Sequence, residues 1–155
     1  MGVRERTIVG ASALALLLAT AGLSFVLPSD PPAEPWIVVA LVGLFAWGSR
    51  VEFEVGSNTA VPAQLVFVPM LFLAPLTLVP LLVAGGFLLG ELPDYVRGRI
   101  HPDRWLYAIS NAWFAIGPVL VMGLLAPAHP TMDAIWVYGL AVVAQLVSSG
   151  VVWCI

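Results

Sequence analysis

The sequence predicts an all-α, polytopic membrane protein with six transmembrane helices and a short charged hairpin between the second and third helices. Hydrophobic residues make up 61% of the 155 residues, charged residues only 10%, and the mean hydropathy is +1.01. Soluble domains carry roughly 25% charged residues, and a soluble domain of this size would expose a large share of so apolar a composition. We therefore expect lipid to be the solvent for most of residues 1–155, which form a single integral membrane domain.

Long apolar segments, separated by prolines or charges, give the number of spans. The predicted spans cover about residues 7–27, 35–49, 62–74, 75–96, 105–126 and 134–155. Four contain about 20 residues or more, which at 1.5 Å per residue matches a hydrocarbon core of roughly 30 Å. The second and third are shorter, and bilayer thinning or helix packing is expected to absorb the mismatch. The alternative, a re-entrant pair, would leave Arg50, Glu52 and Glu54 near mid-depth at about 2.5–3.5 kcal/mol each.

Local sequence features predict a hairpin between two of these spans and irregular geometry within others. Residues 51–55 alternate between apolar and acidic side chains and precede the turn-forming sequence GSNT, which predicts a short hairpin. Pro118 lies inside the fifth span and removes a backbone donor, so we expect a kink there and a freed Phe114 carbonyl. Close approach of a neighbouring helix is expected at the glycines of the fourth span, which are Gly85, Gly86 and Gly90.

The arginines predict the orientation of the protein. If the chain crosses six times, residues 1–6, 50–60 and 97–104 lie on one face of the membrane, and they hold every basic residue: Arg4, Arg6, Arg50, Arg97, Arg99 and Arg104. The loops on the other face contain no Arg or Lys. Since cytoplasmic loops carry the excess of basic residues, we predict a multi-pass protein of the bacterial inner (plasma) membrane with both ends of the chain in the cytoplasm.

No catalytic, metal-binding or cofactor-binding constellation is found, so these residues predict neither an enzyme nor a cofactor. The sequence contains no glycine-rich phosphate loop, HExxH or GxSxG motif. Glu91, Asp94, His101 and Asp103 follow no spacing of metal ligands and are expected to belong to a solvated loop. Basic residues are few and form no patch with interleaved aromatic residues, which argues against nucleic-acid binding.

Polar side chains within the predicted spans are the candidate site residues. Asn111 lies about two turns into the fifth span, while Gln145 and Ser148 lie three residues apart in the sixth and share one helix face. One interpretation is hydrogen bonding between helices, which fixes their packing and is the commoner role of such residues. The other is a polar lining that receives a small ligand or a signal.

A pattern between residues 50 and 120 carries a family resemblance. It begins with a short polar hairpin and two apolar helices joined at a proline. A Pro-acidic-aromatic sequence followed by arginines ends the second of these helices, and the next helix begins with aromatic residues and contains an Asn. These features are formed by Asn58, Thr59, Pro75, Pro93, Asp94, Tyr95, Arg97, Arg99, Trp105, Tyr107 and Asn111. The pattern resembles the membrane region that precedes GGDEF-type diguanylate cyclase or HD-GYP-type phosphodiesterase domains in some actinobacterial signalling proteins. The resemblance implies an input or anchoring module, and none of the 155 residues belongs to such an output domain.

These observations predict a sensory or anchoring input domain that acts by changing how the fifth and sixth helices pack. The expected partners are the lipid bilayer and a covalently attached cytoplasmic output domain. The last apolar segment has no Arg or Lys after it, so we expect the chain to be the N-terminal part of a longer polypeptide. A homodimer is also allowed. The alternative function is a small substrate-capturing component of a membrane transporter, for which six helices in 155 residues is a suitable size.

Overall fold

The computed structural model describes residues 3–27, 33–51, 53–55, 58–60, 63–100, 104–125 and 132–153. In chain order, its helices and strands are α1 (Val3–Val26), α2 (Pro35–Gly48), β1 (Phe53–Val55), β2 (Asn58–Ala60), α3 (Ala63–Leu73), α4 (Val79–Val96), α5 (Arg104–Ser110), α6 (Ile116–Leu125) and α7 (Ile135–Trp153). Short 3₁₀ turns lead into α4 and α7, and a 3₁₀ segment, Asn111–Ala115, joins α5 to α6.

Within the described residues, three helical stretches are long and apolar enough to cross a membrane, namely Arg6–Val26, Leu76–Val96 and Arg104–Leu125. Three further stretches are apolar but shorter, namely Pro35–Gly48, Ala63–Leu73 and Met132–Ser148. The prediction of a helical membrane protein is therefore confirmed, including the short second and third segments. That all six segments cross the bilayer stays a prediction.

A short hairpin lies between α2 and α3, where the alternating segment predicts it. β1 and β2 pair antiparallel, with Phe53 opposite Ala60 and Val55 opposite Asn58. The hairpin returns the chain, so α3 packs against α2. Two short neighbouring helices are thus held side by side.

The sequence predicts a fifth span over residues 105–126 with a kink at Pro118, and the structure has one helical stretch over Arg104–Leu125 that is interrupted before Pro118. α5 ends at Ser110, the 3₁₀ segment Asn111–Ala115 follows, and α6 begins only at Ile116. We refer to Arg104–Leu125 as the broken span. The break lies just before Pro118, which cannot donate the hydrogen bond that an α-helical turn requires at this point.

The bundle is apolar on the outside as well as inside, as a lipid solvent requires. Phe25, for example, is 90% exposed. In the described part of the chain, the buried polar side chains are Thr20 and Ser110. The Thr20 hydroxyl donates to the Leu16 carbonyl over 2.9 Å, and the Ser110 hydroxyl donates to the Val9 carbonyl over 3.3 Å. Both hydroxyls are therefore satisfied inside the protein.

Four phenylalanines form an aromatic cluster at the centre of the bundle. Phe45 on α2 and Phe67 on α3 are both 0% exposed. Phe87 on α4 lies edge-on to Phe45, with ring centroids 5.1 Å apart, and Phe114 lies edge-on to Phe67 at 5.1 Å. The Phe87 and Phe114 rings, 6.4 Å apart, complete the chain of contacts. Since lipid leaves little hydrophobic driving force between helices, association depends on such shape-specific packing.

Glycines let α4 lie very close to α2. A Cβ atom at Gly86 would lie 2.6 Å from Cδ1 of Phe45, and one at Gly90 would lie 2.5 Å from Oγ of Ser49. The predicted close approach is therefore confirmed at these two glycines. The same prediction is wrong for Gly85, because no atom lies within 4 Å of its Cβ position.

The six arginines lie at one end of the bundle, which we call the arginine end: Arg4, Arg6, Arg50, Arg97, Arg99 and Arg104. The Arg50 side chain, just after α2, donates to Asp94 near the end of α4 over 3.0 Å. Arg104, at the start of α5, donates to Glu91 over 3.2 Å. Arg97 caps the C-terminus of α4, and Arg99 lies 3.7 Å from Asp94. α2 and α4 therefore end where α5 begins.

Hydrogen bonds place the start of α1 at this same end. The Ser110 hydroxyl meets the Val9 carbonyl, and Nε1 of Trp113 donates to the Ser12 carbonyl over 3.1 Å. A step of three residues along the broken span, from Ser110 to Trp113, thus matches a step of three along α1, so α1 and the broken span run parallel. This grouping of all the arginines agrees with the prediction from their positions in the sequence, and the side of the membrane that the arginine end faces stays a prediction.

Candidate functional site at the break before Pro118

Pro118 leaves the carbonyl of Phe114 without its ordinary partner. In an α-helix the Phe114 carbonyl would accept a hydrogen bond from the N–H of residue 118, and proline has none. Pro118 is fully buried, and a lipid surrounding offers no water to replace the missing donor. Inside a membrane such a carbonyl is satisfied by a neighbouring helix, by a Ser or Thr hydroxyl, or by a local 3₁₀ adjustment.

Ser148 on α7 supplies that donor. Its Oγ lies 3.0 Å from the carbonyl oxygen of Phe114. The freed carbonyl that the sequence predicts is thus confirmed, and Ser148 is the residue that satisfies it. This geometry supports the packing interpretation of Ser148, because the hydroxyl joins α7 to the broken span.

The Ser148 hydroxyl lies within hydrogen-bond distance of more than one carbonyl oxygen. Besides the Phe114 carbonyl, it lies 2.7 Å from the carbonyl of Ala144 and 3.2 Å from the carbonyl of Gln145 on its own helix. A hydroxyl carries one proton, so it donates fully to one of these oxygens at a time. Donation to Phe114 ties the two helices together, whereas donation to Ala144 leaves the Phe114 carbonyl unpaired.

Gly117 allows α7 to approach closely enough for this contact. A Cβ atom at Gly117 would lie 2.7 Å from the carbonyl oxygen of Ala144 and 3.0 Å from Oγ of Ser148. Both neighbours belong to α7, and one is backbone. Gly117 is not among the residues that the sequence singles out; its position directly before Pro118 in an apolar span was the available signal.

Phe114 connects this contact to the centre of the bundle. Its backbone carbonyl meets Ser148, while its ring packs against Phe67 and Phe87. A movement of α7 that changes the Ser148 contact therefore acts on a residue held by α3 and α4. We call Phe114, Gly117, Ala144 and Ser148 the Phe114 junction.

A groove of about 500 Å³ lies beside the Phe114 junction, between α6 and α7. Its lining consists of Trp113, Ile116, Gly117, Val121, Leu140, Val143, Ala144, Val147 and Ser148. Apolar side chains dominate this lining, and several of them belong to the exposed surface of α7. The junction is therefore reached from the outer, apolar surface of the bundle.

The three predicted site residues do not meet at one point. Gln145 contributes its carbonyl to the surroundings of Ser148, and its side chain is half-buried. Asn111 opens the 3₁₀ segment, but its side chain is exposed on the outside of the bundle. Ser148 on α7 donates a side-chain hydrogen bond to the broken span, whereas the Asn111 side chain lies on the outer surface, so the structure separates Asn111 from the other two.

We expect Ser148→Ala to lower the stability of the packed bundle by about 0.5–2 kcal/mol, because it leaves the Phe114 carbonyl without a donor. In a Pro118→Ala background, residue 118 regains an N–H that reaches this carbonyl. The same Ser148→Ala change should then cost less. A double-mutant cycle, measured by SDS-induced unfolding in mixed micelles, gives the difference.

Ser24→Ala is the matched control for this cycle. The Ser24 hydroxyl bonds within its own helix, to the Thr20 carbonyl over 3.5 Å, so its removal should cost the same with or without Pro118. Identical costs of Ser148→Ala in the two backgrounds would contradict the pairing of Ser148 with the freed carbonyl.

Acidic residues near the arginine end are engaged with arginines. Glu91 and Asp94 form the ion pairs described above, and within the described ranges no three His, Cys, Asp or Glu side chains come together as metal ligands would. Two members of the set considered in the sequence, His101 and Asp103, lie outside the described residues. One Glu91 oxygen, Oε2, and Nε1 of Trp105 are buried without a hydrogen-bond partner.

Comparison with models of known protein families, with curated proteins and with solved structures finds no match.

Proposed function

We propose that this chain is a membrane-embedded sensory or anchoring input domain for a cytoplasmic signalling domain. The observation that carries the proposal is the hydrogen bond from Ser148 to the Phe114 carbonyl. It links α7 to a span that is already broken, and a broken span has more than one low-cost arrangement. The hydrogen bond between Ser148 and Phe114 is therefore sensitive to small changes in how the two helices pack.

The proposed mechanism is a shift between two populations of the Phe114 junction. In one, the Ser148 hydroxyl donates to Phe114, and α7 is held against Gly117. In the other, the hydroxyl donates to Ala144, and α7 is free to move or rotate. A signal favours one state only by interacting more strongly with it. The groove beside the junction gives such a signal access from the bilayer.

The course of α7 supports its role as the output element. α7 packs against α6 and then against the 3₁₀ segment, with Ser148 at the level of Phe114 and Ala144 at the level of Gly117. It therefore runs antiparallel to the broken span, back towards the arginine end. With six spans and the arginine end in the cytoplasm, α7 delivers a packing change to the cytoplasmic side.

The resemblance of residues 50–120 to membrane regions of actinobacterial signalling proteins supports the same assignment. It suggests turnover of a cyclic dinucleotide by a GGDEF-type or HD-GYP-type domain attached after α7. In this proposal that chemistry belongs wholly to the attached domain.

The first experiment reads the coding frame beyond the Ile155 codon, where we expect a soluble domain, and assays that domain in native membranes. Ser148→Ala should change its output at least about twofold, the equivalent of the weakest expected loss in contact energy. Ser24→Ala is the control and should leave the output unchanged. The variants Asn111→Leu, Gln145→Leu and Ser148→Leu complete the series. Unchanged output in all three variants would overturn the assignment.

The second candidate is a substrate-capturing component of a transporter, which the groove of about 500 Å³ favours. A chain that stops at Ile155 and binds a small apolar molecule in detergent would support it. Val143→Trp should then block binding, because the indole would fill the groove without touching the Ser148 hydrogen bond.

A further inference from the structure

Asn111 is a polar side chain that lies on the outer surface of the described bundle. Asn111 is exposed, and its carboxamide forms no hydrogen bond within the described part of the chain. An amide has two N–H donors and a carbonyl acceptor. In a hydrocarbon surrounding, each unmet group of this kind is costly.

The depth of Asn111 keeps its amide from easy contact with water. It follows Arg104 by seven residues, which is about 10 Å along a helix. The neighbouring Ser110 lies level with Val9, so Asn111 lies level with Gly10 and about 6 Å deeper than Arg6 on the parallel α1. Lys and Arg extend long stems to the interface, but the amide of Asn stands on a single methylene.

We infer that Asn111 marks a surface through which two copies of this chain associate in the membrane. A carboxamide is complementary to itself, since two opposed amides exchange two N–H···O bonds. A two-fold axis places the same residue on both sides of an interface, so Asn111 of one copy meets Asn111 of the other. Lipid tails contain no hydrogen-bond donor or acceptor, so against lipid the N–H and C=O groups of the amide stay unpaired.

Small residues at the same depth let a second copy come close. On α1, Ala11 is exposed, and no atom lies within 4 Å of the Cβ position of Gly10. Both lie level with Asn111 through the Ser110–Val9 hydrogen bond. Helices in membranes associate where small residues admit close backbone contact and polar residues bond across the gap. The inference concerns the surface alone and does not depend on any attached output domain.

The test measures energy transfer between donor- and acceptor-labelled copies of the full chain in phosphatidylcholine/phosphatidylglycerol vesicles at decreasing protein-to-lipid ratio. We expect Asn111→Leu to weaken association about 3- to 30-fold, and Asn111→Gln, which keeps the amide, to retain most of it. Gln64→Leu is the matched control, because Gln64 is also an exposed amide, at the start of α3. It should leave association unchanged.

Oxidative crosslinking tests the two-fold geometry independently. In a Cys154→Ser background, Ala11→Cys, which keeps the Asn111 amide, should form a disulfide-linked dimer, while Leu140→Cys, which places a thiol on the exposed face of α7, should not. A monomeric wild-type chain at all ratios, or an Asn111→Leu variant that associates as the wild type does, overturns the inference.

Discussion

Replacing Phe67 with Ala should cost the bundle a few kcal/mol of stability, towards the lower end of the roughly 3–5 kcal/mol that Phe→Ala costs in soluble cores. Phe67 is 0% exposed, and its ring packs edge-on against Phe114 at 5.1 Å. Truncation leaves a cavity that rigid neighbours fill only in part. The cost is reduced because lipid solvates an exposed Phe well, so the loss comes from packing contacts and not from transfer out of water.

Phe25→Ala is the control, because Phe25 is 90% exposed. Its removal takes away contacts with lipid only, and we expect a change within about 0.5 kcal/mol. SDS-induced unfolding of both variants in mixed micelles, followed by circular dichroism, gives the two free energies. Similar losses for Phe67 and Phe25 would mean that the aromatic cluster does not form the core. The Phe67 variant should also loosen Phe114 and so weaken the hydrogen bond from Ser148.

Features that depend on local chemistry were predictable from the sequence. Pro118 lacks an N–H wherever it lies, so the freed carbonyl of Phe114 follows from position alone. The hairpin follows from alternation and a turn sequence, and the arginine end follows from where the six arginines fall. Each of these inferences needs only neighbouring residues or the order of segments along the chain.

Features that depend on which helix face is buried were not predictable. In a soluble helix, polar residues mark the outer face. Here lipid and core are both apolar, so the pattern does not tell the buried Phe67 from the exposed Phe25. For the same reason the sequence did not separate Ser148, which points at a neighbouring helix, from Asn111, which points outward. The partner of the Phe114 carbonyl required the three-dimensional packing of α7.

Gly117→Ala should lower the stability of the bundle by about 1–3 kcal/mol, because the space for the added methyl group is already filled by α7. Its Cβ would lie 2.7 Å from the carbonyl oxygen of Ala144, 3.0 Å from the carbonyl carbon and 3.0 Å from Oγ of Ser148. Backbone atoms cannot rotate away, so α7 itself must shift. A shift of several tenths of an ångström lengthens the 3.0 Å bond from Ser148 to Phe114.

Two other glycines serve as controls for this substitution. A Cβ at Gly123 would meet the side chain of Leu27, which can change rotamer, so Gly123→Ala should cost less. No atom lies within 4 Å of the Cβ position of Gly139, so Gly139→Ala should be neutral or slightly stabilising through its higher helix propensity. The expected order of cost in SDS-induced unfolding is Gly117, then Gly123, then Gly139. A cost at Gly139 equal to that at Gly117 would show that α7 does not pack as described.

The Gly117 variant also separates a structural role of the Phe114 junction from a signalling one. Gly117→Ala displaces α7 and keeps the Ser148 hydroxyl, whereas Ser148→Ala keeps the close approach and removes the hydroxyl. If the junction has two states, both changes favour the state in which the Phe114 carbonyl is unpaired, and both should move the output in the same direction. If the two variants lost similar stability but changed the output in opposite directions, the junction would have a role in packing alone. The loss of stability would then be unrelated to the signalling state.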